Sequence, residues 1–363
     1  MTILVDASLK CNLKCIYCYN HTLRAVGYDE QTPDLEKIKT AIKIAYERGL
    51  SRDIVLHGGE PLAWGKDVVE ELLRFIYQLT GKSGVQTNGT LIDDDYIDMF
   101  KKYKTHVGIS IDGFGELNKF RYDEKTASKV IENLVRLVNE GIPVGVIVVL
   151  SKANTHPKAI EKMKQFLLFL NSYGVTGRLN PCMHPSPHIE PNEEELKKFY
   201  LEIADFMEKH EILGWSPYID IVYRLTGRDG AMCRFKPCDP YATLGAVTIT
   251  HDGKITTCHK FSTYMLEFTE FDVYTRLYIL KNTDCKGCRY FGNCVGGCPA
   301  EAYGWDWRNK TRWCKVWYAL FSYFEKKLKF AGIEPCVKKE EETDIERLIQ
   351  EEFYRPCKYA HTI

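Results

Sequence analysis

Cys11-Asn12-Leu13-Lys14-Cys15-Ile16-Tyr17-Cys18 sets three thiols in a C-x3-C-x2-C pattern just behind a short apolar stretch, Ile3 to Ala7. That stretch reads as a first β-strand, so the thiols fall in the loop at its C-terminal end. Soft thiolates suit iron and sulfur, and three of them on a four-iron cluster leave one iron without a protein ligand. A structural zinc site needs a fourth donor, and His21 is close enough in sequence to be one. The spacing alone leaves both readings open.

Beyond the thiol loop, short apolar runs alternate with segments of helical period through the first two-thirds of the chain, the pattern of βα units around a parallel sheet. Strands are expected near Ile3 to Ala7, Asp53 to Leu56, Val85 to Asn88, Val107 to Ile111, Val144 to Leu150 and Gly177 to Asn180. A helix near 34–48 follows Thr32 and Pro33, a cap and a preset first turn, and places Leu35, Ile38, Ile42 and Ala45 on one stripe. Another, near 126–140, places Val130, Ile131, Leu134 and Val138 on one face and stops at Gly141 before Pro143. Six such units make a partial (β/α)6 barrel, an α/β fold whose site-forming loops lie at the C-terminal ends of the strands. The second strand runs into His57-Gly58-Gly59-Glu60-Pro61, where two glycines permit close backbone approach to a ligand and a carboxylate can grip an ammonium group.

Equal numbers of basic and acidic residues, 49 each among 363, leave no global field to attract nucleic acid or an anionic membrane. The longest apolar run, Val144 to Leu150, is far short of a membrane span, and MTILVDASLK lacks the parts of a signal peptide. A cytoplasmic location is expected. Fourteen cysteines in a reducing compartment point to metal or redox chemistry, not to disulfides. Eight of them fall between Cys233 and Cys314 amid Gly, Pro and aromatic residues, which marks a separate cysteine-rich domain. The expected division is a barrel over residues 1–222, the cysteine-rich domain over 223–330, closed by a helix at 315–330, and a tail over 331–363. In the tail Ile345, Leu348, Ile349 and Phe353 lie near helical spacing, as a docked surface helix or as a lid over the barrel.

The thiol loop with its aromatic Tyr17, followed by the glycine-glycine-glutamate turn after the second strand, resembles the radical S-adenosylmethionine (SAM) superfamily. The resemblance covers residues 1–222. It implies that Cys11, Cys15 and Cys18 hold a four-iron (4Fe-4S) cluster whose free iron is chelated by the amino and carboxylate groups of SAM. It further implies that Gly58, Gly59 and Glu60 hold the amino group, that Tyr17 contacts the adenine, and that Ser110 and Arg121 contact the ribose or carboxylate. Thr87 is a further cofactor candidate. The chemistry implied is reductive cleavage of SAM to methionine and a 5′-deoxyadenosyl radical, which takes hydrogen from an unactivated carbon inside a sheltered barrel.

Farther on, Cys285-x2-Cys288-x5-Cys294-x3-Cys298 precedes Cys314 and follows Cys238-x14-Gly253-x4-Cys258. This order resembles the SPASM domain, the C-terminal extension of radical SAM enzymes that mature peptides and proteins. With Cys233 there are eight thiols, enough to ligate two further four-iron clusters. The resemblance assigns Cys233, Cys238, Cys258 and Cys298 to the first and Cys285, Cys288, Cys294 and Cys314 to the second, for three clusters in all. A double zinc ribbon is the rival reading of the same knuckles. Cys182, Cys336 and Cys357 remain as ordinary thiols, with a substrate-trapping role for Cys182 as the sharper alternative.

Family members of this type oxidise cysteine or serine to formylglycine in sulfatases, or install thioether and carbon–carbon links in ribosomal peptides. The expected activity is therefore hydrogen abstraction from a peptide or protein, giving oxidation or cross-linking, with the auxiliary clusters accepting the electron left on the product. Two alternatives remain: dehydrogenation of a small alcohol or amino sugar, and a non-catalytic iron–sulfur or zinc protein for binding or electron transfer. Sulfatase maturases carry a base aspartate just after the third cysteine of the SPASM pattern, whereas this chain has His259, the catalytic candidate. Only ten residues precede Cys11, so leader recognition is expected from a separate peptide-binding protein or from the cavity itself. An external donor such as flavodoxin or ferredoxin is expected to supply the electron.

Overall fold

The computed structural model describes residues 1–27, 29–228, 230, 232–238, 240–241, 243, 245–264, 275–339 and 342–348. Strands β1 (Thr2–Asp6), β2 (Ile54–Leu56), β3 (Ser83–Thr87), β4 (Thr105–Ser110), β5 (Val144–Leu150) and β6 (Thr176–Pro181) lie side by side in chain order, all parallel. Each begins and ends within two residues of an apolar run named above. Parallel neighbours need crossovers. Helices α1 (His21–Ala25), α2 (Leu35–Glu47), α3 (Lys66–Thr80), α4 (Asp94–Lys102), α5 (Glu124–Asn139), α6 (Lys152–Thr155), α7 (Pro157–Ser172) and α8 (Glu193–Lys209) supply or flank them.

The core lies between sheet and helices. Ile3, Val5, Leu56, Val107, Ile109, Val148, Leu150 and Leu179 of the strands are fully buried, as are Leu72, Ile76, Leu134, Met163 and Leu167 of the helices. Burying one such side chain contributes about 1.5–3 kcal/mol, which fixes the strand ends and hence the loops they carry. Local capping corrects two details of the sequence reading. Helix α2 is capped by Asp34, whose carboxylate accepts from the Lys37 amide, and not by Thr32 and Pro33. Helix α5 starts earlier than expected because Asp123 caps it through the Thr126 amide, and its buried stripe is Ala127, Val130, Leu134 and Leu137. Ile131 and Val138 are only half-buried.

Past β6 the chain leaves this unit and returns. Strands β7 (Ala246–Thr250) and β8 (Ile255–Thr256) form an antiparallel hairpin that extends the sheet beside β1. Two compact units result: Met1–Pro217 with Val247–Glu267, and Tyr218–Ala246 with Phe268–Ile363. The hairpin, counted with the cysteine-rich domain on sequence, belongs to the barrel unit. Its turn rests on α2: the Asp34 amide donates to the His251 carbonyl at 2.9 Å, and Gly253, at φ +78°, lies so close to Lys37 that a Cβ would stand 2.7 Å from its carbonyl oxygen.

The second unit is built on α9 (Tyr218–Thr226), α10 (Thr275–Asn282), α11 (Phe291–Cys294) and α12 (Cys314–Phe330), the last coinciding with the expected closing helix. Ile345 and Leu348 sit in its core with Leu277, Leu280, Cys285, Phe291 and Val295. The tail therefore docks on the cysteine-rich unit; Ile349 and Phe353 lie outside the described residues. Among the described residues no helix is long and apolar enough to cross a membrane.

Candidate active site

The loop after β1 is held from the β2 side. The His57 amide donates to the Val5 carbonyl at 2.9 Å, the Gly59 amide to Ser8 at 3.2 Å and the Glu60 amide to Lys10 at 2.8 Å. Gly58 has φ +110° and a Cβ there would meet the Ser8 carbonyl at 2.7 Å; at Gly59 a Cβ would collide with the Leu9 and Lys10 carbonyls. In this structure the glycines thus admit the cysteine loop's own backbone. Cys11, Cys15 and Cys18 lie within reach of one another's charge, and burial raises Cys11 and pushes Cys15 up to about 11, against the pull of Arg121. Positive charge of a bound metal reverses such a shift. The Nε2 of His21 donates to the Cys15 carbonyl at 2.7 Å, so that nitrogen is not presented as a fourth donor.

Glu60 is 1% exposed. Its Oε1 accepts from Thr87 Oγ1 at 2.6 Å and the Leu62 amide at 3.1 Å, and its Oε2 from the Asn88 amide at 2.6 Å. A carboxylate offers about four acceptor positions, so one on Oε2 is left for a ligand. Burial raises the carboxyl and these donors, with His57, oppose it, leaving the group up at about 7. Thr87, a predicted cofactor contact, donates its hydroxyl to Glu60. Asn12, Asn88 and Thr90 interlock at 2.7–2.9 Å and tie the thiol loop to the end of β3.

At the end of β4, Asp112 is 1% exposed and gathers three donors: the Tyr17 hydroxyl, Arg121 Nη2 at 2.9 Å and the Val149 amide at 2.9 Å. The Arg121 guanidinium also lies 5.5 Å from the centroid of the Tyr17 ring. The structure thus brings two predicted cofactor contacts, Tyr17 and Arg121, together through a carboxylate that the sequence analysis did not select. Ser110 is half-buried and accepts from Gln86 Nε2 at 2.9 Å. Cys182 is 1% exposed and its thiol is raised by burial, then by Glu190 and Asp112. It is a packed thiol.

Three buried polar atoms near these strand ends have no hydrogen-bond partner: Arg121 Nε, Asn180 Oδ1 on β6 and His259 Nδ1 after β8. Such orphans are costly unless something binds them. They fit a polar ligand at this end of the sheet. The His259 ring stands 4.6 Å from that of His57 and 5.0 Å from that of Tyr19, while His57 Nδ1 is 3.2 Å from Asp6 Oδ1. Sequence reasoning passed over His57, Asn180 and Asp112; for the first two, only the position at a strand end was visible.

In the second unit Cys285, Cys288, Cys294 and Cys314 are electrostatic neighbours, and burial pushes Cys285 up to about 12 and raises Cys294 well above the ordinary thiol range. Cys238 and Cys298 both act on the buried Arg276. Cys233 packs on Gly245, its Sγ 3.3 Å from where a Cβ would stand. Cys258 belongs to the first unit, with its carbonyl accepting from the Phe261 amide at 2.8 Å. Cys336 is exposed, and Cys357 lies outside the described residues. All 13 described cysteines are free of disulfides. Among the described residues no three His, Cys, Asp or Glu side chains close on one point as ligands of a single metal ion. An iron–sulfur cube spreads its thiolates more widely, and these all-thiol sets have the softness it needs.

A model of the radical SAM superfamily matches residues 7–164. A cysteine-type anaerobic sulfatase-maturating enzyme of Clostridium novyi (strain NT) is 25% identical over 336 residues, which is 82% of this chain and 87% of that protein. The solved structure of native anSMEcpe with bound AdoMet and Cp18Cys peptide aligns with TM-score 0.71 at 19% identity, over 91% of this chain and 98% of that one. Streptococcus suis SuiB bound to precursor peptide SuiA aligns with TM-score 0.54 at 15% identity, over 76% of this chain and 63% of that one. At these identities the solved structures speak for the fold.

Proposed function

Residues 7–164 are a radical SAM domain, and on that premise we propose that the chain is a SPASM-type enzyme that reductively cleaves SAM and modifies a peptide or protein. When bound, the N-terminal cluster supplies the electron that splits SAM into methionine and a 5′-deoxyadenosyl radical able to take hydrogen from the substrate. The single observation that carries the reading is the thiol loop of Cys11, Cys15 and Cys18 zipped to the Gly58-Gly59-Glu60 turn. Those cysteines would hold three irons. Glu60 has its open acceptor position for the ammonium group of SAM, and Arg121 its unpaired Nε–H for an oxygen of the same ligand. Tyr17, braced by Asp112 and Arg121, is the candidate wall for the adenine.

Support for a peptidic substrate comes from the names of the similar proteins, a sulfatase-maturating enzyme and SuiB with its precursor peptide. The eight C-terminal thiols would hold two auxiliary clusters that take up the substrate's second electron. His259 is the candidate base: its Nδ1 lacks a partner and its ring lies tilted against that of His57, which Asp6 orients. Burial, with His57 and Lys260 beside it, holds the His259 imidazole well below its ordinary range, so the ring is in the neutral form that a base requires. The test is anaerobic incubation of reconstituted protein with dithionite, SAM and cysteine-containing peptides, including sulfatase-derived ones. The expected result is 5′-deoxyadenosine together with a change in peptide mass. Complete absence of 5′-deoxyadenosine from fully iron-loaded protein would remove the catalytic reading.

A further inference from the structure

Arg276 lies in the first turn of α10 and is 1% exposed, a buried guanidinium with no carboxylate beside it among the described residues. Every one of its five N–H donors is used on backbone carbonyls. Nε donates to Asn309 at 3.3 Å, Nη1 to Gly297 at 2.9 Å and Val295 at 3.4 Å, and Nη2 to Gly296 at 3.0 Å and Asn309 at 2.9 Å. Three of these carbonyls belong to consecutive residues, and all three residues have positive φ: +50° at Val295, +75° at Gly296 and +72° at Gly297. For a β-branched valine this conformation is a genuine outlier and persists only where its surroundings demand it. The demand here is that successive carbonyls turn inward onto one cation.

This turn is the link between Cys294 and Cys298. Burial pulls the pKa of Arg276 down, and Cys298, Cys238, Cys285 and Cys294 push it back up. The guanidinium thus stands among thiols of both C-terminal sets, and it stays charged at any working pH. A buried charge is expensive unless other charges offset it, and the groups that push its pKa back up are the thiols Cys298, Cys238, Cys285 and Cys294.

We propose that Arg276 is a positioning residue for the auxiliary iron–sulfur sites, clamping the Val295-Gly296-Gly297 turn so that Cys294 and Cys298 face separate clusters, and acting as a fixed cation that raises a cluster's reduction potential. The inference rests on reading the eight C-terminal thiols as two cluster sites. Net charge and hydrogen bonding near the sulfurs are principal determinants of such potentials. A nearby cation favours the reduced, more negative state, so its loss moves the potential to more negative values.

The experiment is a spectroscopic redox titration of anaerobically reconstituted full-length protein, native, Arg276→Lys and Arg276→Gln, with iron and sulfide counted in each. Native protein is expected to hold about twelve irons per chain. Arg276→Gln is expected to shift at least one auxiliary signal to more negative potential, or to lose about four irons or more, while the cluster whose signal responds to added SAM is unchanged. Arg276→Lys, which keeps the charge, is expected to retain the irons and recover most of the shift. Native irons and native potentials in both variants overturn the inference, as does an equal shift in both. Should Arg276→Gln fail to fold, the lysine variant decides alone: a near-native auxiliary potential supports the fixed cation, and a potential as far displaced as the loss of charge would give refutes it. Native protein with only about four irons removes the auxiliary clusters themselves and the inference with them, an outcome distinct from any failure of Arg276.

Discussion

Glu60 shows how burial and hydrogen bonding compete on one side chain. Burial alone disfavours the carboxylate, three donors favour it, and the outcome is a carboxyl raised to about 7. Only the ionised form attracts an ammonium group. SAM affinity of the reconstituted protein should therefore be full above pH 7 and fall roughly tenfold per pH unit below it, as calorimetric titration across pH will register. Thr87→Val removes one donor to the carboxylate and should move that midpoint upward; an unchanged midpoint would mean that Glu60 does not govern binding. Asp112 poses a different problem, because its charge is buried and its partner Arg121 is 8% exposed. Removing one member of such a pair strands the other, so Arg121→Ala should cost about 3–5 kcal/mol. Adding Asp112→Asn to it should return part of the loss, since no naked charge is then left. Denaturant unfolding of the two variants reads the difference.

Among the elements, the turn after β2 has the narrowest tolerance. A methyl group at Gly59 would collide with two carbonyls of the loop that leads into Cys11, and backbone cannot yield as a flexible side chain can. Gly59→Ala should leave the barrel folded by circular dichroism yet lower the iron content by about four per chain, through displacement of the thiol loop. The strands, their order and this loop were readable beforehand because apolar periodicity and cysteine spacing are local signals. The β7–β8 hairpin was not, although Asp252-Gly253 is a turn signal, because nothing local says that a segment about 190 residues beyond β2 pairs beside β1. Asp112 and His57 were missed for a related reason. A polar residue at a strand end looks like any turn residue until Tyr17 and Arg121, or Asp6, arrive from elsewhere in the fold.

At the scale of the whole molecule, the proposed function assigns SAM cleavage to the barrel unit and the uptake of the substrate's electron, at the Cys285, Cys288, Cys294 and Cys314 set, to the second unit. The groups that would cleave SAM all lie in the barrel unit, whereas Cys285, Cys288, Cys294 and Cys314 belong to the second unit, where they act on one another and Arg276 acts on Cys285 and Cys294. Cysteine spacing carries the number of thiols but not which of them meet; the link between Cys294 and Cys298 is the left-handed Val295-Gly296-Gly297 turn, whose shape no local signal announces at Val295. If the division holds, the two tasks can be uncoupled. Cys285→Ala combined with Cys294→Ala should remove one cluster, taking the iron content from about twelve to about eight, and should leave 5′-deoxyadenosine formation from SAM intact. Peptide modification should fall below roughly a tenth of the native rate, equivalent to about 1.4 kcal/mol or more in the barrier, because the substrate radical then lacks its electron acceptor. Cys182→Ala, which alters a packed thiol outside both sets, is the control and should keep both activities. Loss of 5′-deoxyadenosine in the double variant, with the N-terminal cluster still present by its response to SAM, would show that the C-terminal thiols serve the cleavage step itself and that the separation is wrong.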